Sequence, residues 1–559
     1  MCKKSLLLLC VLLPIYLPAE TRNLSDYKLT GQGTFTANDQ GFVITNKLIN
    51  ITHMGTIVGT KLKFDSSAGM YGVLKFTLQS MGTREFGRFR LLIKGQGKAL
   101  LKKVIYCDRE RRTYEIPVFI PKKVQKLELL FCVSKFIQGL SFEDLSFQQQ
   151  RNKDFALVNP LTEKMWAYEG MDANAEWRHE ANLRIEHNRK ANLKIILEGK
   201  STGLKIKYEM KKHAFPFGTA VRLDTLAAAT EDSQRYKKEL LSLFNSAVPG
   251  RFLKWRMWDN WPRSKVVAQL KWLQDQDLEI RGHALVWAGW THLPKGLERY
   301  QDNKEKLDQM VNHHIKRAVL ETKDLLSEWD VINEPYDNND LMDLLGKDKM
   351  VEWFDLAHKL APELELYIND YDILAYPGAA HAKKYFEILA YLMAQKTPFH
   401  GIGLQSHFKE EVTSPQQIYR TLNDLAQFNK KIKITEHDFI SDSPEFQAAF
   451  MRDFLTVCFS HPKVAGINQW GFWEGAHWRS RAALFNQDWS ERKNLKAYKA
   501  LVFDEWWTRG EALVDEVGEI NFRGFKGDYE IQVYSKDNKL LKSLIFTLTN
   551  DDSILRLRL

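Results

Sequence analysis

Between Phe215 and Trp507, short apolar runs alternate with longer stretches whose apolar residues return at helical spacing, and the alternation repeats eight times. The runs are FPFGTAV (215–221), FLKWRM (252–257), EIRGHALVW (279–287), EWDVINE (328–334), LELYIND (364–370), GIGLQSH (401–407), KIKITEHD (431–438) and AGINQWGFW (465–473). A helical pattern follows each, as in 306–323, where Leu307, Val311, Ile315, Ala318 and Val319 share one face. A doubly wound sheet tends to stop at about five or six strands, whereas eight strand-then-helix units close a barrel. An α/β fold, a (β/α)8 TIM barrel, is expected over 213–509.

The flanks read differently. Residues 27–150 hold short strands (FVIT, TIVGTKLKF, VLKFTLQS, FRLLIKG, YEIPVFI, KLELLFCV) between Gly, Asp and Ser turns, the pattern of a β-sandwich. Residues 151–212 are a connecting segment with a helical stretch near 175–190 and two strand-like runs, and 510–559 return to strands as a small C-terminal β appendage. Lys3-Lys4 followed by the apolar run Ser5–Ala19 has the order of a secretory signal peptide, 1–19; the run is too short for a bilayer and carries Pro14 and Pro18. A secreted chain with no membrane contact after cleavage is expected, and the glycosylation sequons at Asn23 and Asn50 agree with export. Of five cysteines, Cys2 and Cys10 leave with the leader, Cys107 and Cys132 either bridge or stay apart, and Cys458 fills a helix core. The net charge of +10 is spread among acids with no run of one sign, so no nucleic-acid track is expected.

In a barrel of this kind, functional side chains gather at the carboxyl ends of the strands. Those ends carry Lys254, His283, Trp287, Asn333, Glu334, Asn369, Asp370, Gln405, His407, Glu436 and Trp470. Glu334 and Glu436 end the fourth and seventh strands inside apolar runs. Paired across a barrel mouth, they suit double-displacement hydrolysis of a glycoside, one as acid and the other as nucleophile. Other signals are weaker. Gly401-Ile-Gly403 lacks the third glycine of a dinucleotide loop, His313-His314 read as a solvated helix face, and Asp337–Asp340 (DNND) lacks calcium-loop spacing. No cofactor and no metal are expected.

The stretches RGHALVW (281–287), WDVINEP (329–335), YINDYD (367–372), GIGLQSH (401–407), ITEHDF (434–439) and QWGFWEGAHW (469–478) resemble, in order and spacing, the signatures of glycoside hydrolase family 10, which contains the retaining endo-β-1,4-xylanases. The resemblance implies a hydrolase acting on a polysaccharide, xylan or a related β-1,4-glycan, with Glu334 as general acid/base and Glu436 as nucleophile. It implies that Asn333 grips the 2-hydroxyl of the cleaved sugar, and that Lys254 and His283 hold its 3-hydroxyl. Gln405 and His407 then hydrogen-bond on the nucleophile side, and Trp287, Trp470 and Trp478 form aromatic walls. Asn369 and Asp370 either shape the site or serve the fold. The amino-terminal sandwich resembles the jelly-roll carbohydrate-binding modules that precede such barrels. It contains none of the 16 Trp, so it either uses Tyr71 or Tyr106 as a sugar platform or only packs.

Two departures alter the groove beside the cleaved sugar. Gly250-Arg251 stand where the family usually places Glu-Asn, and Ala288-Gly289-Trp290 where xylanases often read His-Ser-Gln. Arg251 either meets an acidic branch such as glucuronate or points to solvent. β-1,4-Glucan stays open as substrate, as does a non-catalytic glycan-binding barrel; an oxidoreductase would need a nicotinamide or flavin motif that the chain lacks. Oligomeric state is not legible.

Overall fold

The computed structural model describes the strands and tight turns between residues 22 and 150, and residues 167–199, 203–409 and 412–559. The leader and Asn50 lie outside the described residues, as do the side chains of Asn23, Tyr71, Tyr106 and Cys132, and with them the expectations on export, glycosylation, a sugar platform and the Cys107–Cys132 bridge. The chain divides into two compact units at about residue 168.

In the first unit, one antiparallel sheet joins Gly33–Asn38, Gly41–Asn46, Gly139–Gln150, Met70–Ser80 and Arg112–Ile120, with Arg22–Asn23 beside Gly139–Gln150. The other joins Lys28–Thr30, Ile57–Lys63, Lys126–Val133, Phe86–Gly95 and Lys98–Asp108. Most connections cross from one sheet to the other, the jelly-roll arrangement. Phe76 and Phe142 from the first sheet meet Phe89 and Phe131 from the second at centroid distances between 5.1 and 6.3 Å, which makes the core of a sandwich.

In the second unit, eight parallel strands close a barrel: β1 (Phe217–Ala220), β2 (Ser246–Val248), β3 (Glu279–Val286), β4 (Glu328–Asn333), β5 (Glu365–Asp370), β6 (Gly401–Leu404), β7 (Lys431–Phe439) and β8 (Val464–Gln469). β1 pairs with both β2 and β8, and β6 pairs on to β7, so the ring has no free edge. Helix α1 (Glu176–Arg189) precedes it. Around it lie α2 (Glu231–Leu243), α3 (Arg263–Asp275), α4 (Lys304–Thr322), α5 (Lys349–Leu360), α6 (Ala380–Ala394), α7 (Pro415–Ala426), α8 (Pro444–Ser460) and α9 (Lys493–Lys499). Every residue of β4 is buried, because helices cover its outer face and side chains fill the barrel inside. The Ser-Pro pairs before α7 and α8 start both helices: Ser414 and Ser443 accept from the backbone N–H groups of Gln417 and Phe446, and proline follows where no N–H is needed.

The structure corrects two expectations. The second barrel strand is Ser246–Val248, whereas 252–257 form a turn and the start of the short helix Trp255–Asn260. Pro249-Gly250 end the strand, and Phe252, Leu253 and Trp255 are apolar because their loop is buried, which in sequence imitates a strand. His314 does not face solvent: its ring lies 4.5 Å from that of Trp255 and its Nε2 is 3.0 Å from the Leu285 carbonyl, while His313 is exposed.

The segments on either side of the barrel share sheets. Lys190–Glu198 lies between Glu519–Phe525 and Ser553–Arg558, and Lys205–His213 lies between Arg509–Leu513 and Gly527–Tyr534, with Leu540–Leu548 outside. The sheets face each other through Phe522, stacked on Tyr208 at 3.9 Å and tilted against Tyr529 at 5.7 Å.

Helix α1 docks on α8, which backs β7. Asp453 of α8 is fully buried and accepts from Arg178 Nη2 at 2.6 Å and Tyr168 Oη at 2.7 Å. Arg189 closes the far end on the carbonyls of Phe459, His461 and Val464. Removing one partner of a buried pair leaves the other uncompensated. Asp453→Ala is expected to cost about 3 kcal/mol in denaturant unfolding, and Arg178→Met with Asp453→Leu to recover much of it; a loss below about 1 kcal/mol in the single variant would show that the pair does not fasten α1.

Candidate active site

The interior of the barrel is charged. Arg281 and His283 of β3, Glu328 and Asp330 of β4 and Lys433 of β7 are all buried. Arg281 Nη1 lies 3.0 Å from Glu328, which also receives Lys433, and Arg281 Nε donates to Asp330 Oδ2 at 3.2 Å. Two cations thus neutralise two carboxylates where a lone ion would be costly. Asp330 Oδ2 also takes His283 Nδ1 at 2.8 Å, which turns His283 Nε2 toward Glu436 Oε1, 3.8 Å away.

Glu436 ends this chain of contacts. Asn369 Nδ2 donates to its Oε1 at 2.8 Å, and His407 Nε2 lies 3.3 Å from its Oε2. His407 is backed by Asp438, 3.0 Å from Nδ1. Burial alone would lower the His407 pKa, but Asp438 and Glu436 outweigh it and raise it to about 9, so the imidazole is a cation at neutral pH. Burial likewise pushes Glu436 upward, and His283, His407 and Lys254 more than reverse it; the carboxyl sits below the usual glutamate range.

Glu334 is the opposite case. It follows β4 with φ +52°, a left-handed conformation that costs a residue with a Cβ about 1 kcal/mol or more. Its N–H donates to the Asn369 carbonyl at 2.8 Å, and its own carbonyl accepts from Asn338 N at 3.1 Å, which holds the turn. Its carboxyl receives neutral donors: Gln405 Nε2 at 2.8 Å on Oε1, and Trp287 Nε1 and Asn338 Nδ2 at 3.1 Å each on Oε2. Burial, with repulsion from Glu436 and Asp370 and against the Gln405 hydrogen bond and Lys254, raises its pKa to about 7.

Amides join the two carboxyls. Asn333 Oδ1 accepts from Asn369 Nδ2 at 2.9 Å and lies 3.5 Å from Gln405 Nε2. Asn333 Nδ2 is buried with no hydrogen-bond partner among the described residues, a donor left for a ligand. Asp370 is held by His381 of α6 at 2.9 Å, and burial raises its pKa to about 6 despite that partner.

The aromatic residues divide. One face of Trp287 is covered by the His292 imidazole, 3.4 Å away and within 3° of parallel. Lys254 Nζ lies over the ring at 4.4 Å, and the indole N–H donates to Glu334. Trp470 stands edge-on to His283 at 5.3 Å. A Cβ on Gly250 would come within 2.9 Å of its ring, so the glycine makes room for the indole. Trp478 is exposed and donates to Asp438 at 2.7 Å. Arg251 is exposed and has no ion-pair partner among the described residues.

All twelve residues selected from the sequence therefore fall at or beside the mouth formed by the carboxyl ends of the strands, with Lys254 in the loop after β2 and not on a strand. Sequence reasoning passed over Asn338, His292 and His381. None has a local signature, and Asn338 lay in the DNND run set aside as a failed calcium loop. Among the described residues no group of three or more His, Cys, Asp or Glu is arranged to hold a metal ion.

Compared with known proteins, a family model described as glycosyl hydrolase family 10 matches residues 205–503. The anti-sigma-I factor RsgI6 of Acetivibrio thermocellus is 28% identical over 369 residues, 64% of this chain and 47% of that protein. Endo-1,4-beta-xylanase 1 of Arabidopsis thaliana is 27% identical over 361 residues, 63% of this chain and 37% of that protein. The chain thus spans less than half the length of these relatives. The crystal structure of xylanase 10B from Thermotoga maritima has a TM-score of 0.48 at 23% identity, covering 52% of this chain and 96% of that one.

The two carboxyls should titrate apart. Carboxyl-carbon NMR, assigned with Glu334→Gln and Glu436→Gln, is expected to show Glu334 taking up its proton at about pH 7 and Glu436 still ionised below the ordinary glutamate range; a reversed order would contradict the environments described.

Proposed function

Because the chain belongs to glycosyl hydrolase family 10, we propose that it is a secreted, retaining endo-β-1,4-glycanase that hydrolyses xylan by double displacement. The observation that carries the proposal is a pair of like carboxyls at one barrel mouth with opposite proton affinities, Glu334 raised to about 7 and Glu436 depressed. Glu334 gives its proton to the glycosidic oxygen as that oxygen leaves, while Glu436 bonds to the anomeric carbon. Glu334, now a carboxylate, then takes a proton from water, and the water oxygen displaces Glu436. Two inversions retain the configuration.

Other groups act on the sugar or on the carboxyls. Asn333 Nδ2, a buried and unpartnered donor, suits the 2-hydroxyl. Lys254 and His283 suit the 3-hydroxyl, and the cation on His407 favours the ionised nucleophile. Gln405 and Trp287 hold Glu334. Trp470 and Trp478 flank the mouth and supply the aromatic walls. Endo-1,4-beta-xylanase 1 of Arabidopsis thaliana, among the relatives above, supports xylan as the polymer. The basic start and apolar run of 1–19 support export. The sandwich is proposed as a glycan-binding module on the strength of its resemblance to the modules that precede such barrels.

Reducing-sugar release from xylan and from soluble β-1,4-glucan, beside Glu436→Gln, tests the proposal. Release from xylan that falls about a thousandfold or more in the variant is expected; release from glucan alone would change the polymer, and none from either would leave a glycan-binding barrel. The sign of the pH dependence follows from the roles. The rate is expected to fall as pH rises through about 7, where Glu334 loses its proton, and as pH drops through the depressed pKa of Glu436, where the nucleophile gains one.

A further inference from the structure

A carboxyl group has four acceptor positions, two on each oxygen. On Glu334, Oε2 receives Trp287 Nε1 and Asn338 Nδ2, each at 3.1 Å, which occupies both of its positions. Oε1 receives Gln405 Nε2 at 2.8 Å and keeps one position open. Chemistry settles the orientation of the Asn338 amide: Nδ2 lies between two carboxylate oxygens, Glu334 Oε2 and Asp337 Oδ1 at 3.0 Å, and only an NH2 group serves both. We infer that Asn338 is a positioning residue that fills the second acceptor site of Glu334 Oε2 and so confines the transferable proton to Oε1. The assignment rests on the hydrolase function proposed above.

Two loops interlock to hold this donor. Leu341 N donates to the Ala288 carbonyl at 3.1 Å, and Trp290 N donates to Asp340 Oδ2 at 2.8 Å. A Cβ on Gly289 would lie 2.4 Å from Asn338 Oδ1, so glycine is needed for the close approach. His292, flat against Trp287, keeps the other Oε2 donor in place. The departure at 288–290 and the DNND run are therefore parts of one device that aims two N–H groups at a single oxygen. When Glu334 protonates the leaving oxygen, the O–H bond at Oε1 breaks and the three donors stabilise the carboxylate; when water attacks, Oε1 takes back a proton.

The charged and titratable groups facing Glu334 are Glu436 on β7, Asp370 at the end of β5 with its partner His381 on α6, Lys254 in the loop after β2, Asp337 beside Asn338, and Tyr371, whose hydroxyl reaches Asp337. All remain when Asn338 is changed. Losing an N–H donor to a carboxylate weakens the ionised form, so the proton is held more tightly.

The test compares wild type, Asn338→Ala and Asn338→Asp, the second being close in volume and, when ionised, unable to donate. Carboxyl-carbon NMR without substrate reads the Glu334 titration, with Glu334→Gln for assignment. The expected result is an upward shift of about one unit in Asn338→Ala and more in Asn338→Asp, where an anion is added. With xylan, kcat/KM is expected to fall about tenfold and its alkaline limb to move up. With an aryl glycoside whose leaving group needs no protonation, formation of the glycosyl-enzyme is expected to be unchanged. An unshifted Glu334 in both variants, or equal losses on the two substrates, overturns the inference. A wild type that hydrolyses neither substrate but shows the shift overturns the hydrolase function and leaves the proton's placement standing.

Discussion

The buried carboxylate of Asp330 is the point on which the site turns. Closing eight parallel strands into a ring leaves no water inside, so every ion in the interior has to find its counterion among side chains of neighbouring strands. Arg281 and His283 reach the same Asp330, Arg281 also reaches Glu328, and Lys433 completes the balance from β7. Fixing His283 Nδ1 on Asp330 directs Nε2 to Glu436, and from there amides carry the network through Asn369 and Asn333 to Gln405 and Glu334. Ion balance in the interior and side-chain orientation at the mouth are thus one set of contacts.

That continuity explains how two glutamates in one mouth acquire different chemistry. Both are desolvated, which by itself raises both. Glu436 has cations within reach, and the His407–Asp438 pair keeps one of them charged. Glu334 is ringed by amide and indole N–H groups, which stabilise a carboxylate less than a cation does. The difference in proton affinity between Glu334 and Glu436 comes from their partners, which stand at the ends of several different strands or in the loops that follow them.

The fold was legible because its periodicity is local. Seven of the eight expected strands coincide with barrel strands, since each is an apolar run bounded by a helix. The eighth failed for a physical reason: burial, not strand geometry, makes Phe252, Leu253 and Trp255 apolar, and a buried loop shows the same composition. His314 failed similarly, because a polar ring satisfied by the Leu285 carbonyl and stacked on Trp255 leaves no mark on its own helix. Trp287 was found for its place at the end of the third strand, but nothing in RGHALVW tells that His292 folds back over the indole.

Sequence alone determined the strand-then-helix repeat, the barrel and the strand ends at which Glu334 and Glu436 stand, because each depends on residues adjacent in the chain. Tertiary structure alone decided which contacts set the proton affinities of the two carboxyls apart, that Gly250 makes way for Trp470, and that Asn338 reaches Glu334 against Gly289. It also decided that strands from 190–213 and 509–558 share sheets across the length of the barrel. These depend on desolvation and on contacts between residues far apart in sequence, and neither quantity exists until the chain has closed on itself.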